Sequence, residues 1–302
     1  MTKITLKHLR YFDALARARH FGRAAEASSI SQPALSLQVK ELEDILGAPL
    51  VERGKQIRLT ALGEDFGLRA RDILRAVDEL AALGRTGSGP MAGRLRLGII
   101  PTVAPYLLPR LIRRLAARFP DLDLRPREAV TSRLMRDLIE GRLDLALVAL
   151  PVSEPSLAEH PLFEEDFLLV RPAADAGKPV PRLDELRDMP LLLLEEGHCF
   201  RDQAISFCKL PPALAGEIMQ GSSLSTLVQM VGAGLGLTLI PAMAAEVERR
   251  SAEVTLHRLP DPRPGRTIGL VWRKSNPLAP QLAELAAALV PPDEMPQAQM
   301  PD

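Results

Sequence analysis

The chain has 302 residues, 46% hydrophobic and 25% charged, an ordinary balance for a soluble globular protein and enough length for two or three domains. Its 38 basic residues cancel its 38 acidic ones, yet residues 1–58 carry 10 Lys and Arg against 6 Asp and Glu, leaving that first fifth at +4 and the remainder at −4. No apolar run approaches the roughly 20 residues a membrane span needs, and the basic N-terminus leads into an amphipathic pattern rather than a secretory signal, so a cytoplasmic protein is expected.

The first segment reads as helical throughout. Leu6, Leu9, Phe12 and Leu15 gather on one helical face, and Arg19–His20–Phe21–Gly22 breaks the pattern. A short helix is expected through Arg23–Ala27, then a tight connection at Ser28–Ser29–Ile30. Ser31 is a good N-cap, Pro33 suits the first turn, and the third helix runs through Leu35, Val39, Leu42 and Leu46 to stop at Gly47. Two helices joined by a short turn, the second opened by small polar residues, form a helix-turn-helix. Alternation across Leu50–Thr60 around Gly54–Lys55 predicts a two-stranded wing.

Thr60 is placed to cap a long helix from Ala61 to Leu83, roughly 35 Å at 1.5 Å per residue. Its apolar positions Ile73, Leu74, Val77, Leu80 and Leu83 need a partner, and a dimer contact supplies one. Residues 84–93 are rich in Gly, Ser and Pro and read as a hinge. From Arg94 the pattern changes to strands alternating with helices: Leu95–Ile100, Leu107–Arg118, Leu122–Leu124, Arg133–Ile139, Leu143–Leu150, Phe167–Val170, Leu191–Leu194, Ser223–Val231, Thr238–Ile240 and Ile268–Trp272. This alternation implies open α/β sheets with parallel strands and two lobes around a crevice. The polar, Pro-rich tail 291–302 is expected to be disordered.

The residues Ala24–Ala25, Ser31–Gln32–Pro33–Ala34–Leu35–Ser36, Leu42–Glu43, Leu46–Gly47 and Leu50–Val51–Glu52–Arg53 closely resemble the DNA-binding signature of LysR-type transcription regulators. The order of helix-turn-helix, wing, long helix, hinge and α/β domain matches as well, so the resemblance covers about residues 1–290. Three further stretches are similar to the hydrogen-peroxide-sensing members of that family: Gly98–Pro109, Leu193–Ala204 with its Gly197–His198–Cys199, and Gly265–Val271. The resemblance implies a winged helix-turn-helix domain over 1–59, a linker helix over 60–83 and a periplasmic-binding-protein-like effector domain of parallel or mixed sheets over 94–290. Its first lobe would comprise 94–164 and 268–290, and its second 165–267.

For the DNA-binding domain, Ser31, Gln32, Pro33, Ala34 and Ser36 sit at the start of the recognition helix, where Gln can pair bidentately with adenine in the major groove. Lys40 is set to meet phosphate, and Arg53 and Lys55 on the wing to reach the backbone or the minor groove.

Two cysteines in a cytoplasmic protein are by default reduced thiols, and small buried cysteines are common in cores. The resemblance implies otherwise: Cys199 reacts with peroxide and forms a disulfide with Cys208. Chemistry supports this, because it is the thiolate that attacks peroxide, and a helix N-terminus or nearby cations favour that form. If Arg201–Lys209 is helical, the nine-residue separation spans roughly 13 Å, while a disulfide tolerates only about 7 Å between Cα atoms, so the segment must unwind to close the bond. Thr102, Thr131, His198 and Arg266 match the family's peroxide pocket, and Gln203 is held as a further member. Arg266 would stabilise thiolate and departing hydroxide, while the hydroxyls orient the O–O bond. Pro211 and Pro212 depart from the usual residues after the second cysteine and would stiffen that loop.

The partners so implied are double-stranded operator DNA, further copies of the chain as a homodimer or homotetramer, hydrogen peroxide as signal, RNA polymerase, and a glutaredoxin- or thioredoxin-like reductant. No zinc motif, phosphate loop or dinucleotide fingerprint occurs, so no metal or other cofactor is expected. Two other readings stay open: a regulator of the same family answering an organic effector in the crevice, and a thiol peroxidase.

Overall fold

The computed structural model describes residues 4–52, 54, 57–83, 93–210, 219–276 and 278–289. The chain divides into two units, residues 1–87 and 88–302.

In the first unit each helix starts where the sequence supplies a cap. Helix α1 (Leu6–Ala18) opens with a reciprocal capping box between Thr5 and His8. The His20 imidazole accepts from the Gly22 and Arg23 N–H groups to open α2 (Phe21–Ala27). Ser31 accepts from the Ala34 N–H to open α3 (Gln32–Leu46), which ends on Gly47 in the left-handed region at φ +70°. Phe12, Leu15, Leu35, Val39, Leu42 and Leu50 form the core between them.

Strands β1 (Val51–Glu52) and β2 (Arg58–Leu59) pair antiparallel as the base of the wing. The Thr60 hydroxyl then accepts from the Gly63 N–H at 3.0 Å and opens α4 (Ala61–Leu83). Gly63 permits the close approach there: a Cβ at that position would sit 2.0 Å from the Leu50 carbonyl oxygen. Phe66 packs edge-on against Phe12 with centroids 5.3 Å apart, anchoring the first turns of α4. Further along, Leu68, Ile73 and Leu80 are 49–66% exposed, and Ile73 and Leu80, seven residues apart, share one face of the helix. The wing residues Arg53 and Lys55, residues 84–92 of the expected hinge, Pro211, Pro212 and the tail 291–302 lie outside the described residues.

In the second unit, β3 (Gly93–Ile99) lies between β4 (Leu122–Glu128) and β5 (Leu145–Leu150), parallel to both. Helices α5 (Ala104–Arg118) and α6 (Thr131–Ile139) make the crossovers. Strand β6 (Leu157–Pro172) then does double duty. Its first half, to Asp166, pairs with β11 (Gly265–Arg273). From Phe167 it pairs with β9 (Thr238–Pro241) and β10 (Val254–Arg258). Two hydrophobic cores result, one around Leu97, Leu147 and Ile268 and the other around Leu169, Leu193 and Val228.

The second core is closed by β7 (Leu193–Leu194), α7 (Cys199–Phe207), β8 (Gln220–Gly221) and α8 (Leu224–Gly232), with the short α9 (Ala245–Glu248) beside them. Helix α10 (Ala279–Leu289) returns to the first core. The sheet is mixed, one of the two expected arrangements: β3 is parallel to β4 and β5, whereas β11 is antiparallel to both β5 and β6, and β6 is antiparallel to β9 and β10. The cause is the double crossing. The chain leaves the first lobe along β6 and comes back along β11, so the two crossing strands run in opposite directions.

Candidate functional site

Three chain segments meet at one small hollow lined by Ile100, Pro101, Thr102, Val130, Thr131, His198 and Cys199. Each segment arrives at the N-terminal end of a helix. Thr102 sits in the turn between β3 and α5, where the Val103 and Ala104 N–H groups both donate to the Ile100 carbonyl. Thr131 is the first residue of α6, and Cys199 is the first residue of α7, with His198 as its N-cap. Gly197 makes the preceding turn at φ +94°, a left-handed conformation that glycine adopts freely. Partial positive charge from three helix ends thus faces the same place, which favours an anion forming there, whether thiolate or departing hydroxide.

Arg266 joins this group from β11. Its Nη1 donates to the Thr102 hydroxyl oxygen at 2.8 Å and its Nη2 to the Thr102 carbonyl at 3.3 Å. Its guanidinium lies 5.5 Å from the centroid of the Phe200 ring, next in chain to Cys199. Its charge is met by Glu165, directly opposite on β6, and neither side chain has any exposed surface. Arg201 is also buried and donates to the Leu194 carbonyl at 2.9 Å. Burial holds His198 below the ordinary histidine range, against the opposing pull of Glu195 and Glu128. Near neutral pH the cationic surroundings expected of Cys199 are therefore a neutral imidazole and a paired guanidinium, and the helix ends supply the remaining positive field.

The other expected members fall as follows. Gln203 lies one turn beyond Cys199 on the same helix face, its Oε1 buried without a hydrogen-bond partner. The Thr131 hydroxyl is likewise buried and unpartnered. Cys208 is not in the hollow. It caps the far end of α7 and is fully buried in the second core, and burial pushes its thiol up to about 11. Both cysteines are free thiols. Along α7 they are separated by about 13 Å of helical rise, beyond the reach of a disulfide. Lys209, next after the cap, is held at φ +50°, the left-handed region usually given to glycine.

On α3, Leu35, Val39 and Leu42 face the core while Ser31, Gln32, Pro33, Ala34 and Lys40 are exposed and Ser36 is half-buried. The first turn of the helix thus presents its polar side outward. Among the described residues no group of His, Cys, Asp and Glu could hold a metal ion, and no helix is long and apolar enough to cross a membrane.

Sequence reasoning missed two groups. Glu165 sits in the acidic run Glu164–Glu165–Asp166, which looks solvated, but it alternates with the buried Phe163 and Phe167 and so shares their inward face. Tyr106 of α5 donates to the buried Glu248 of α9 at 2.6 Å, Ser225 donates to the same oxygen at 2.8 Å, and the pair ties one lobe to the other. Burial first, and then Glu248, raises the Tyr106 phenol well above its ordinary range.

Comparison with known proteins gives the class. The model of the bacterial regulatory helix-turn-helix protein, lysR family, matches residues 6–64, and that of the LysR substrate binding domain matches residues 88–291. The chain belongs to the LysR family of bacterial transcription regulators. It is 41% identical over 291 residues to the DNA-binding transcriptional dual regulator OxyR of Escherichia coli, covering 95% of each chain. A full-length OxyR cysteine variant from Pseudomonas aeruginosa superposes with a TM-score of 0.75 at 37% identity, covering 94% of this chain and 97% of that one. A hydrogen-peroxide-bound OxyR cysteine variant from Corynebacterium glutamicum gives a TM-score of 0.65 at 36% identity, covering 94% and 91%.

Proposed function

We propose that this regulator senses hydrogen peroxide through Cys199 and passes the signal to DNA through a Cys199–Cys208 disulfide, controlling oxidative-stress defence genes. The observation that carries the reading is the position of Cys199: at a helix N-terminus, in a hollow shared with Thr102, Thr131 and His198. The peroxide-bound relative supports it. Cys199 thiolate attacks one peroxide oxygen, hydroxide departs, and a sulfenic acid forms. Cys208 then attacks that sulfur and water is lost. Because α7 holds the two sulfurs apart, closing the bond unwinds the helix, and two discrete conformations result.

Ser31, Gln32, Pro33, Ala34 and Ser36 read base edges in the major groove, Lys40 meets phosphate, and Arg53 and Lys55 reach the backbone or the minor groove. The exposed Ile73 and Leu80 on one face of α4 support pairing with a second copy, and two such dimers would make a tetramer. RNA polymerase and a glutaredoxin- or thioredoxin-like reductant complete a cytoplasmic cycle. Arg266 in this scheme acts as the partner of Thr102. In this reading residues 1–59 bind DNA, 60–83 link and dimerise, 84–93 form a hinge and 94–290 sense the signal. Footprinting of an operator by reduced and peroxide-treated protein tests the reading. The footprint is expected to change for the wild type and to stay fixed for Cys199→Ser. A footprint that shifts only with an added organic metabolite, or shifts equally in Cys199→Ser, would overturn it.

A further inference from the structure

We infer that Glu165 is a positioning residue for the peroxide reaction: acting through Arg266, it commits the Thr102 hydroxyl to donate its hydrogen into the hollow that Cys199 lines. The inference rests on the reading of Cys199 as the peroxide-reactive thiol.

The argument follows donors and acceptors around the cluster. Glu165 and Arg266 face each other across the β6–β11 ladder, the place where the chain passes between lobes. Nε and Nη2 of Arg266 both lie 2.8 Å from Oε1 of Glu165, and the other carboxylate oxygen accepts from the Met243 N–H at 3.1 Å. The carboxylate is thereby fixed from both sides, and it fixes the guanidinium plane in turn. The one remaining nitrogen, Nη1, points at the Thr102 hydroxyl. A guanidinium has no acceptor, so the Thr102 oxygen must be the acceptor in that contact. Its own hydrogen is left for another partner, and among the described residues Thr102 donates to none. Thr102 lines the same hollow as Cys199 and as Thr131, whose own hydroxyl is buried without a partner.

The polarity matters for the bond that breaks. As the Cys199 sulfur attacks one oxygen of HO–OH, an S–O bond forms and the O–O pair leaves on the far oxygen as hydroxide. Sulfur gives up two electrons and keeps the attacked oxygen with its hydrogen as sulfenic acid, and the peroxide is reduced. Negative charge grows on the far oxygen during that step, and a fixed hydrogen-bond donor stabilises it there more than in the neutral ground state. Without Glu165 the buried guanidinium would seek other acceptors, and nothing would hold the Thr102 hydroxyl to one polarity.

The test compares two reagents on the reduced full-length protein in a Cys208→Ser background: hydrogen peroxide, which expels an oxygen, and iodoacetamide, which expels iodide and needs no such donor. Glu165→Gln is expected to slow the peroxide rate constant of Cys199 by about tenfold, less than the roughly hundredfold or more that deleting such a donor costs, because the Thr102 hydroxyl itself remains. The iodoacetamide rate should be essentially unchanged. In a Thr102→Val background the same substitution should have little further effect, since both act on one hydrogen bond. An unchanged peroxide rate in Glu165→Gln overturns the inference. So does equal slowing with both reagents, which marks a merely structural residue, and so does a full additional loss in Thr102→Val. Should Glu165→Gln fail to fold, Glu165→Asp keeps the buried charge and Arg266 itself but draws the carboxylate back from the guanidinium, and the same split between reagents is expected. A parent protein whose Cys199 ignores peroxide while reacting with iodoacetamide would overturn the underlying reading of the site, an outcome visible before any Glu165 variant is compared.

Discussion

The two cysteines differ in a way that alkylation can measure. Cys208 is fully buried and its thiol is pushed up from 9.0 to about 11. At pH 8 an ordinary thiol near 9 is about 9% thiolate and one near 11 about 0.1%, close to a hundredfold difference in the reactive form. The more basic thiolate is intrinsically more nucleophilic, and a Brønsted slope near 0.45 returns about tenfold of that. Titration alone therefore slows Cys208 by about tenfold, before any hindrance from the core around it. Reduced protein is treated with iodoacetamide at pH 8, quenched at intervals and mapped by peptide mass. Cys199 should be modified first with Cys208 lagging at least tenfold, and the lag should vanish in denaturing urea. Equal rates in the native protein, or a lag that survives unfolding, would refute the reasoning.

The same burial has a consequence for stability. A folded-state pKa above the unfolded one means the native protein holds its proton longer, so stability is fully present below about pH 9 and is lost as pH rises toward 11. Urea titrations at pH 8.5 and 10.5 should show wild type losing on the order of 2 kcal/mol more than Cys208→Ala; equal losses would contradict this. Lys209→Gly should relieve the left-handed strain at the end of α7, stabilising the reduced form by about 1 kcal/mol and raising the disulfide potential by roughly 20 mV, measured by equilibration with a glutathione buffer. Tyr106→Phe removes the interlobe hydrogen bond to buried Glu248 and should cost about 1–3 kcal/mol in denaturant unfolding; a neutral result would show that the lobes do not depend on it. Lys40→Ala should weaken DNA binding about evenly across sequences and reduce the slope of log K against log salt by about 1, whereas Gln32→Ala should relax preference at one base position, both read by titration with operator and mismatched duplexes.

Local signals were legible where they were local. Ser31, Gly47 and Thr60 announced the ends of α3 and the start of α4 because caps act within three or four residues. Strand direction was not legible, since an apolar run such as Leu145–Leu150 or Ile268–Trp272 reads the same in either orientation. Only the double crossing of β6 and β11 decides it. In the site, Thr102, Thr131 and Cys199 came from likeness to a known pattern. Their spacing alone carries no message, because three separate helix starts bring them together. Glu165 hid in an acidic run, and only its alternation with Phe163 and Phe167 marked it as inward-facing. Tyr106 and Glu248 stand 142 positions apart, beyond any periodic signal.

The most direct test of the central claim is thiol trapping of reduced protein exposed to near-stoichiometric hydrogen peroxide, followed by peptide mass mapping. The account predicts an intramolecular Cys199–Cys208 disulfide within minutes, with amide exchange rising along α7 as the helix opens. Two free thiols after the same exposure, or a disulfide formed while the Cys208 amide keeps its protection, would contradict it.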